Sequence, residues 1–348
     1  MSPISRPSAA VAIAALGVAT LAACGHSSKP TAAATSPSAS ASATTAPKPV
    51  GVATCPLTGL PPQPGQKVGR VALAVKIDNI NAARPQAGLG HADLVIEETV
   101  EGGLTRLFAV FQCDSATSVG PIRSARTSDG DLLRLFNGAV FGFSGANPRA
   151  IAPVRATSHA VLIPYDSYPQ YYHRDYSRPA PHNVFSSTAT ILGAGLARDH
   201  KLKAPRTVFT YGPLPRSVRS AKVISMTWPS ASASWTWRGH NWARTQNGSS
   251  DVLTNGQRVT AANVVVMSIH IASTGLHDVL GNPSPDDVVT GRGPVWVFRD
   301  AHVIRGHWSR PNRGARMRLL DIHGHVIPLH PGHTWIELLP TPRTPSVS

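Results

Sequence analysis

The composition of the chain changes at about residue 50, and this change limits where a folded core can lie. Residues 25–50 are mostly Ser, Thr, Ala and Pro, with Lys29 and Lys48 as the charged residues. Such a segment buries too little apolar surface to offset the entropy of ordering, so we predict a flexible tether over residues 24–50. After it come apolar, β-branched runs separated by Gly, Pro and Asn, which predict strands and turns.

The N-terminal segment predicts export. Arg6 is followed by an Ala-rich apolar run from Ala9 to Ala23, which is short for a membrane span and typical of a signal peptide. The run ends in Leu-Ala-Ala-Cys, which resembles a bacterial lipobox, where lipid is attached to the cysteine. We therefore expect a signal peptide over residues 1–23, a lipidated Cys24 and a location on the extracytoplasmic face of the bacterial cell membrane. The alternative is a secretory signal cleaved nearby, with Cys24 incidental.

The charge balance indicates an anionic partner only weakly. The 348 residues include 33 Lys plus Arg and 18 Asp plus Glu, a formal net charge of +15, and most of the basic residues are arginine. A GC-rich coding sequence produces the same bias, and the chain shows no zinc-finger spacing, basic heptad or RNA-recognition aromatic motif. Because the chain is also expected to be exported, we expect no nucleic-acid partner.

The patterning predicts two domains. Residues 71–77 read as a buried strand, with further strands predicted over 94–100, 104–112 and 139–143 and helices over 128–136 and 186–197. Beyond residue 215 the predicted elements are all short strands, at 223–227, 234–237, 242–245, 264–271, 294–298, 316–321 and 335–339. We predict an α+β or α/β N-terminal domain over 51–210 and a smaller β-rich C-terminal domain over 215–345.

Several motifs resemble one bacterial family. They are CPLTGL at 55–60, VKIDN at 75–79, ARPQAGL at 83–89, ADLVIEETVEGGLTRL at 92–107, VGPIRSAR at 119–126, WARTQNG at 242–248, NVVVM at 263–267, GRG at 291–293 and HPGHTWIEL at 330–338. Together they resemble the YerB-type lipoproteins, whose two domains carry the label DUF3048. The resemblance implies a two-domain extracytoplasmic lipoprotein and implies no particular reaction.

Polar residues near the predicted strand ends form a candidate ligand cleft. Glu97, Thr99 and Glu101 are two residues apart and share a face by the period of a strand, and like charges so close raise one pKa or need a cation between them. Arg123 and Arg126 follow a Gly-Pro turn before a predicted helix, which suits a phosphate or carboxylate. The candidate ligand-binding residues are Asp78, Asn79, Arg84, Glu97, Glu101, Arg106, Arg123, Ser124, Arg126, His182 and Asn183. The alternative is a structural ion-pair network in which Arg123 and Arg126 neutralise Glu97 and Glu101.

Catalysis and metal binding have little support in the sequence. His182 follows a loop rich in Tyr and Pro and can act as an acid or base, but no Ser or Cys nucleophile motif accompanies it. His323, His325, His330 and His333 lie close together without metal-ligand spacing, so we expect no metal and no cofactor. No catalytic residue is assigned, and whether the chain is an enzyme stays open.

Two further features carry hypotheses. Residues 292–318 contain seven arginines and one acid and are interleaved with aromatic residues, a pattern that suits an anionic cell-wall polymer and equally a solvated strand face. Cys55 and Cys113 are expected to lie in an oxidising compartment, where a disulfide and two free thiols are both open alternatives.

These observations lead to one functional hypothesis with a rival. The leading hypothesis is a membrane-anchored envelope lipoprotein that acts as a binding or scaffold module, with a cell-wall anionic polymer or peptidoglycan as partner. The rival is a hydrolase of a cell-wall polymer that uses Glu97 or Glu101 with His182.

Overall fold

The structure is a computed structural model that describes residues 53–215 and 218–348. The predicted signal peptide at 1–23, the lipidation of Cys24 and the tether at 24–50 lie outside the described residues. No helix in the two described ranges is both long enough and apolar enough to cross a bilayer.

Strands dominate the described part of the chain. They are β1 Leu73–Asp78, β2 Leu94–Thr99, β3 Thr105–Phe111, β4 Val140–Phe143, β5 Val161–Pro164, β6 His173–Arg174, β7 Val184–Phe185, β8 Arg219–Ser220, β9 Val223–Thr227, β10 Ser232–Trp237, β11 Trp242–Gln246, β12 Ser249–Ser250, β13 Thr260–Ala261, β14 Asn263–His277, β15 Pro283–Val288, β16 Gly291–Arg299, β17 His302–Arg310, β18 Arg318–Asp321, β19 Thr334–Pro340 and β20 Ser346–Val347. β17 was not predicted, since its His, Gly and Ser residues interrupt the apolar pattern.

Helices are fewer than the predicted α+β or α/β N-terminal domain implies, and the chain is mostly β. The described helices are α1 Asp129–Leu133, α2 Pro148–Thr157 and α3 Thr188–Leu196. The helix predicted over 128–136 is a five-residue α-helix followed by a single 3-10 turn, because Asn137 then adopts the left-handed conformation. α2 was not predicted, because Pro153 inside it is an unfavourable helix residue.

One large mixed sheet contains strands from both predicted domains. Its order is β18-β17-β16-β14-β19-β2-β3-β1-β4-β5, and β19 pairs in parallel with both β14 and β2. A smaller sheet has the order β12-β11-β10-β9-β20, with β13 paired to β11. The boundaries 51–210 and 215–345 stay predictions.

The central strands β1, β2 and β3 are buried along their whole length. Alternate residues of these strands enter two apolar clusters, one on each face of the sheet, with Val75 and Leu107 in one and Ala74 and Phe108 in the other. Polar residues inside or at the ends of these strands are therefore forced into buried positions, where they need partners.

Cys55 and Cys113 are joined in a disulfide whose Cα atoms are 5.9 Å apart. Both residues are buried, and Cys113 follows the end of β3 closely. The bond therefore ties the start of the described chain to the central sheet.

Candidate functional site

Seven of the candidate ligand-binding residues line one cavity of about 610 Å³. These are Asp78, Glu101, Arg106, Arg123, Ser124, Arg126 and His182. The other four, Asn79, Arg84, Glu97 and Asn183, are not among its lining residues.

Strand pairing places the charged side chains together. Asp78 ends β1 and lies opposite Arg106 of β3 in the antiparallel register. The chain after β3 returns beside β1, where the Arg123 amide donates to the Lys76 carbonyl at 2.9 Å and the Asp78 amide donates to the Pro121 carbonyl at 2.9 Å. Arg123 is thus fixed by backbone pairing and not by the helix start that the Gly-Pro turn suggested, since α1 begins only at Asp129.

Asp78 holds two basic side chains through one oxygen. Its Oδ2 lies 2.6 Å from Nδ1 of His182 and 3.0 Å from Nε of Arg123. The Arg123 contact is an ion pair without hydrogen-bond alignment, because Nε of Arg123 has no hydrogen-bond partner in the described chain. The carboxylate is 2% exposed, so both contacts are shielded from solvent and orient His182 and Arg123 towards the cavity.

Glu101 forms the second acidic contact of the cavity. Nε of Arg126 donates to its Oε2 at 2.9 Å, and the Ser284 hydroxyl donates to its Oε1 at 2.6 Å. Burial alone would raise the pKa of Glu101, but Arg126 and these hydrogen bonds hold it below its ordinary value. Glu101 is therefore an ionised partner of Arg126.

The prediction that Glu97 and Glu101 share a site is wrong. β2 ends at Thr99, and a 3-10 turn over Glu101–Gly103 breaks the two-residue alternation before Glu101. Glu97 lies instead in a closed network, where it accepts a hydrogen bond from Asn79 Nδ2 at 2.9 Å and pairs with Arg244. Arg126 does neutralise Glu101, as the structural alternative proposed, but Arg123 pairs with Asp78.

Arg84 and Asn183 act as structural links. Arg84 donates to the Asn79 carbonyl at 3.0 Å and to the Gln246 carbonyl at 3.3 Å. Asn183 is buried and accepts a hydrogen bond from Arg174 at 2.6 Å. These contacts occupy both side chains away from the cavity.

Arg106 is the unusual member of the cavity. Its side chain donates to the Ser124 carbonyl at 3.2 Å but forms no ion pair with any carboxylate in the described ranges. It is only 9% exposed. Burial, together with the neighbouring charges of Arg126 and Arg123, lowers the pKa of its guanidinium to about 9. A buried cation beside two others, with no anion of its own, faces the cavity.

Part of the cavity wall was not predicted. Asn147 and Pro148 at the start of α2 contribute, and so does the hairpin of β14 and β15 through His277, Asp278, Val279, Leu280 and Ser284. These residues are distant in sequence from Asp78, and no local motif marks them. Only the pairing of strands from the two halves of the chain reveals them.

The histidine cluster and the arginine-rich segment singled out in the sequence do not line this cavity. His330 contacts Asp300, His325 contacts Asp321 and His333 contacts the Ala92 carbonyl, so three members of the histidine cluster have separate partners. In the segment over 292–318, Arg299 and Arg310 are buried and bind backbone carbonyls. The remaining arginines of that segment are not buried.

Sequence comparison supplies the family. Residues 57–203 match the DUF3048 N-terminal domain and residues 223–336 match the DUF3048 C-terminal domain, both described as protein of unknown function. The chain belongs to the DUF3048 family. The Bacillus subtilis (strain 168) protein named "Putative lipoprotein YerB" is 30% identical over 301 residues, which cover 84% of this chain and 88% of that protein.

A solved structure of the DUF3048 family shares the fold. The crystal structure of YerB protein from Bacillus subtilis superposes with a TM-score of 0.73 at 25% sequence identity. The match covers 84% of this chain and 99% of that one. The resemblance seen in the sequence motifs is therefore confirmed.

Proposed function

We propose that the chain is an envelope lipoprotein whose cavity binds the anionic group of a cell-envelope component. Arg106 is the observation that carries this proposal, because it is a buried guanidinium that lines the cavity without a carboxylate partner among the residues that the structure describes. Asp78 and Glu101 already neutralise Arg123 and Arg126. A phosphate or carboxylate of a wall polymer, peptidoglycan or another envelope molecule would give Arg106 the ion-pair contact that it lacks among the described residues.

The chemistry of arginine supports an anion in this position. A guanidinium stays charged at physiological pH, so it does not escape the cost of burial by losing a proton. Its fork of N–H donors matches the oxygens of a phosphate or a carboxylate. The neighbouring His182 is held through Nδ1, which leaves Nε2 as the ring nitrogen for a ligand.

Two observations unrelated to the cavity support the proposed location at the membrane. The Leu-Ala-Ala-Cys sequence before residue 25 and the lipoprotein name of the Bacillus relative both favour a lipid anchor at Cys24. A chain held there would meet anionic polymers and headgroups at the cell surface.

A thermal-shift titration tests the cavity directly. Inorganic phosphate, glycerol phosphate, acetate and soluble muropeptides are each added to the protein, to the R106Q variant and to the R305Q variant. We expect at least one of these anions to stabilise the protein and R305Q equally and to lose most of this effect in R106Q. Arg305 is a matched control because it is an exposed arginine of β17, so its loss removes the same formal charge. Equal shifts in R106Q and R305Q would contradict the proposal.

The contact between Asp78 and His182 favours one alternative function. A carboxylate bound to Nδ1 of a histidine orients Nε2 as a general base, so the cavity can also support hydrolysis. The earlier rival, with Glu97 or Glu101 as the acid partner, has no geometric support, since those carboxylates pair with Arg244 and Arg126. The H182Q variant tests this alternative: a hydrolase would lose turnover, whereas a protein that only binds anions has no turnover to lose.

A further inference from the structure

The hairpin of β14 and β15 extends beyond the large sheet beside the cavity. β14 pairs with β16 and β19 only over its first seven residues, Asn263–Ile269. From His270 to His277 its partner is β15. In the described chain no third strand pairs with the outer half of the hairpin, which is therefore a two-stranded ribbon.

The tip of this ribbon presents two apolar side chains to solvent. Val279 is fully exposed and Leu280 is 83% exposed. The turn is held by Asp278, whose Oδ1 accepts hydrogen bonds from the amides of Leu280 at 2.9 Å and Asn282 at 2.8 Å. A turn closed in this way keeps the apolar pair outward instead of letting it fold back.

The apolar tip borders the opening of the arginine-lined cavity, and the Asp278 carboxylate lines this opening too. Val279 and Leu280 line the same cavity as Arg106, Arg123 and Arg126. A ligand at this opening meets the guanidinium groups of Arg106, Arg123 and Arg126 on one side and exposed aliphatic side chains on the other.

We infer that this opening docks onto the anionic phospholipid surface of the membrane, with a lipid phosphate at Arg106 and the Val279–Leu280 tip among the acyl chains. This inference rests on the proposed function and names its ligand. A phospholipid offers an anionic group and a hydrocarbon layer together, which matches both halves of the opening. A free phosphate or a hydrophilic wall polymer matches the arginines alone and leaves the apolar tip in water.

A fluorescent probe at the tip tests the inference in the full chain. The V279C variant is labelled with an environment-sensitive fluorophore, because Cys55 and Cys113 are bonded to each other and Cys24 is the expected lipid anchor. The labelled protein is reconstituted in vesicles of phosphatidylglycerol with phosphatidylcholine or of phosphatidylcholine alone. We expect a blue shift and quenching by nitroxide-labelled acyl chains only when phosphatidylglycerol is present.

Two variants control the measurement. The same probe at I322C reports on another exposed apolar residue, which follows β18. β18 is antiparallel to β14, because three successive antiparallel pairs join the two strands. Ile322 at the end of β18 therefore lies at the opposite end of the strands from the hairpin tip, and a probe there is expected to stay in water. In the second control R106Q is combined with V279C, and we expect the equilibrium constant for insertion to fall about ten-fold because a charge-assisted contact is lost.

The outcomes separate the inference from the proposed function. A probe at residue 279 that stays in water, or that inserts equally without phosphatidylglycerol or without Arg106, overturns the lipid inference. If soluble glycerol phosphate or purified wall polymer still stabilises the protein through Arg106, the proposed function stands and the ligand is not a lipid. If no anion acts through Arg106 and no insertion occurs, both are wrong.

Discussion

Arg244 and Arg106 are both buried arginines, yet their surroundings differ in charge. Arg244 pairs with Glu97 and Asp251, and these carboxylates, with Glu337 nearby, outweigh its burial and raise its pKa. Arg106 has no carboxylate in contact among the described residues, and its burial together with Arg126 and Arg123 outweighs the nearby Asp78 and Glu101 and lowers its pKa. The first site is complete within the protein, whereas the second has room for an anion from outside.

A buried carboxylate without a full counter-charge responds differently from a buried arginine without one. In the described chain Oε2 of Glu337, beside Arg244, has no hydrogen-bond partner, and burial together with the nearby Glu97 raises the pKa of Glu337 well above normal, which favours its neutral form. On the other face of β2, burial raises the pKa of Glu98 to about 7, with Lys76 opposing and Asp129 adding to the rise. A buried carboxylate can lose its charge by taking up a proton, but a guanidinium keeps its charge at physiological pH. The unpaired arginine therefore indicates a ligand where an unpaired acid does not.

The largest loss of stability is expected from breaking the buried network of Arg244, Glu97 and Asp251. The R244M variant leaves Glu97 and Asp251 buried without their cation, which should lower the free energy of unfolding by about 3 to 5 kcal/mol. Urea unfolding monitored by tryptophan fluorescence measures it, with R305M as the exposed control expected to change by less than about 0.5 kcal/mol. A loss as small as that of R305M would show that the network is no stronger than a surface contact.

The second effect concerns pH and distinguishes Glu98 from Glu101. The folded-state pKa of Glu98 is raised from 4.5 to about 7, so between these values the folded state holds a proton that the unfolded state has released. Its contribution to stability therefore falls as pH rises through this window, by about 1.4 kcal/mol per unit of pKa difference. Unfolding curves from pH 4.5 to 7 should show this slope reduced in E98Q.

Glu101 serves as a control because its pKa is shifted in the opposite direction. Its folded-state pKa is lowered, so its contribution is present above the unfolded pKa and is lost as pH falls through the folded one. E101Q should leave the slope between pH 4.5 and 7 in place. An unchanged slope in E98Q would contradict the assignment to Glu98 of the extra proton that the folded state holds.

The smallest effect is expected from replacing Arg106, and it is a gain in stability where the loss of Arg244 lowers it. The R106M variant removes a buried cation that forms no direct ion pair in the described chain, so the free energy of unfolding without ligand should rise by about 1 kcal/mol. The same urea experiment measures it, and added anions should no longer stabilise the variant. A loss of stability comparable to that of R244M would mean that Arg106 already has a structural partner.

Local elements were predictable where short-range physics decides them. β9 was predicted with its observed bounds, Val223–Thr227, because apolar residues alternate along it. α3 follows a Ser187 side chain that caps the Thr190 amide, which is a local signal within the predicted 186–197 segment. The assignment of Glu97 was wrong because a single turn after Thr99 changes which face the next carboxylate occupies.

The sequence by itself determined the family, the alternation of strands and turns, and most of the charged residues that line the cavity. These follow from motifs and from polar residues placed at the ends of apolar runs, which are properties of neighbours in the chain. Tertiary structure alone decided which carboxylate neutralises which arginine and brought the hairpin tip to the cavity opening. Ion pairing depends on distance and burial, and strand pairing sets both across more than a hundred residues of sequence.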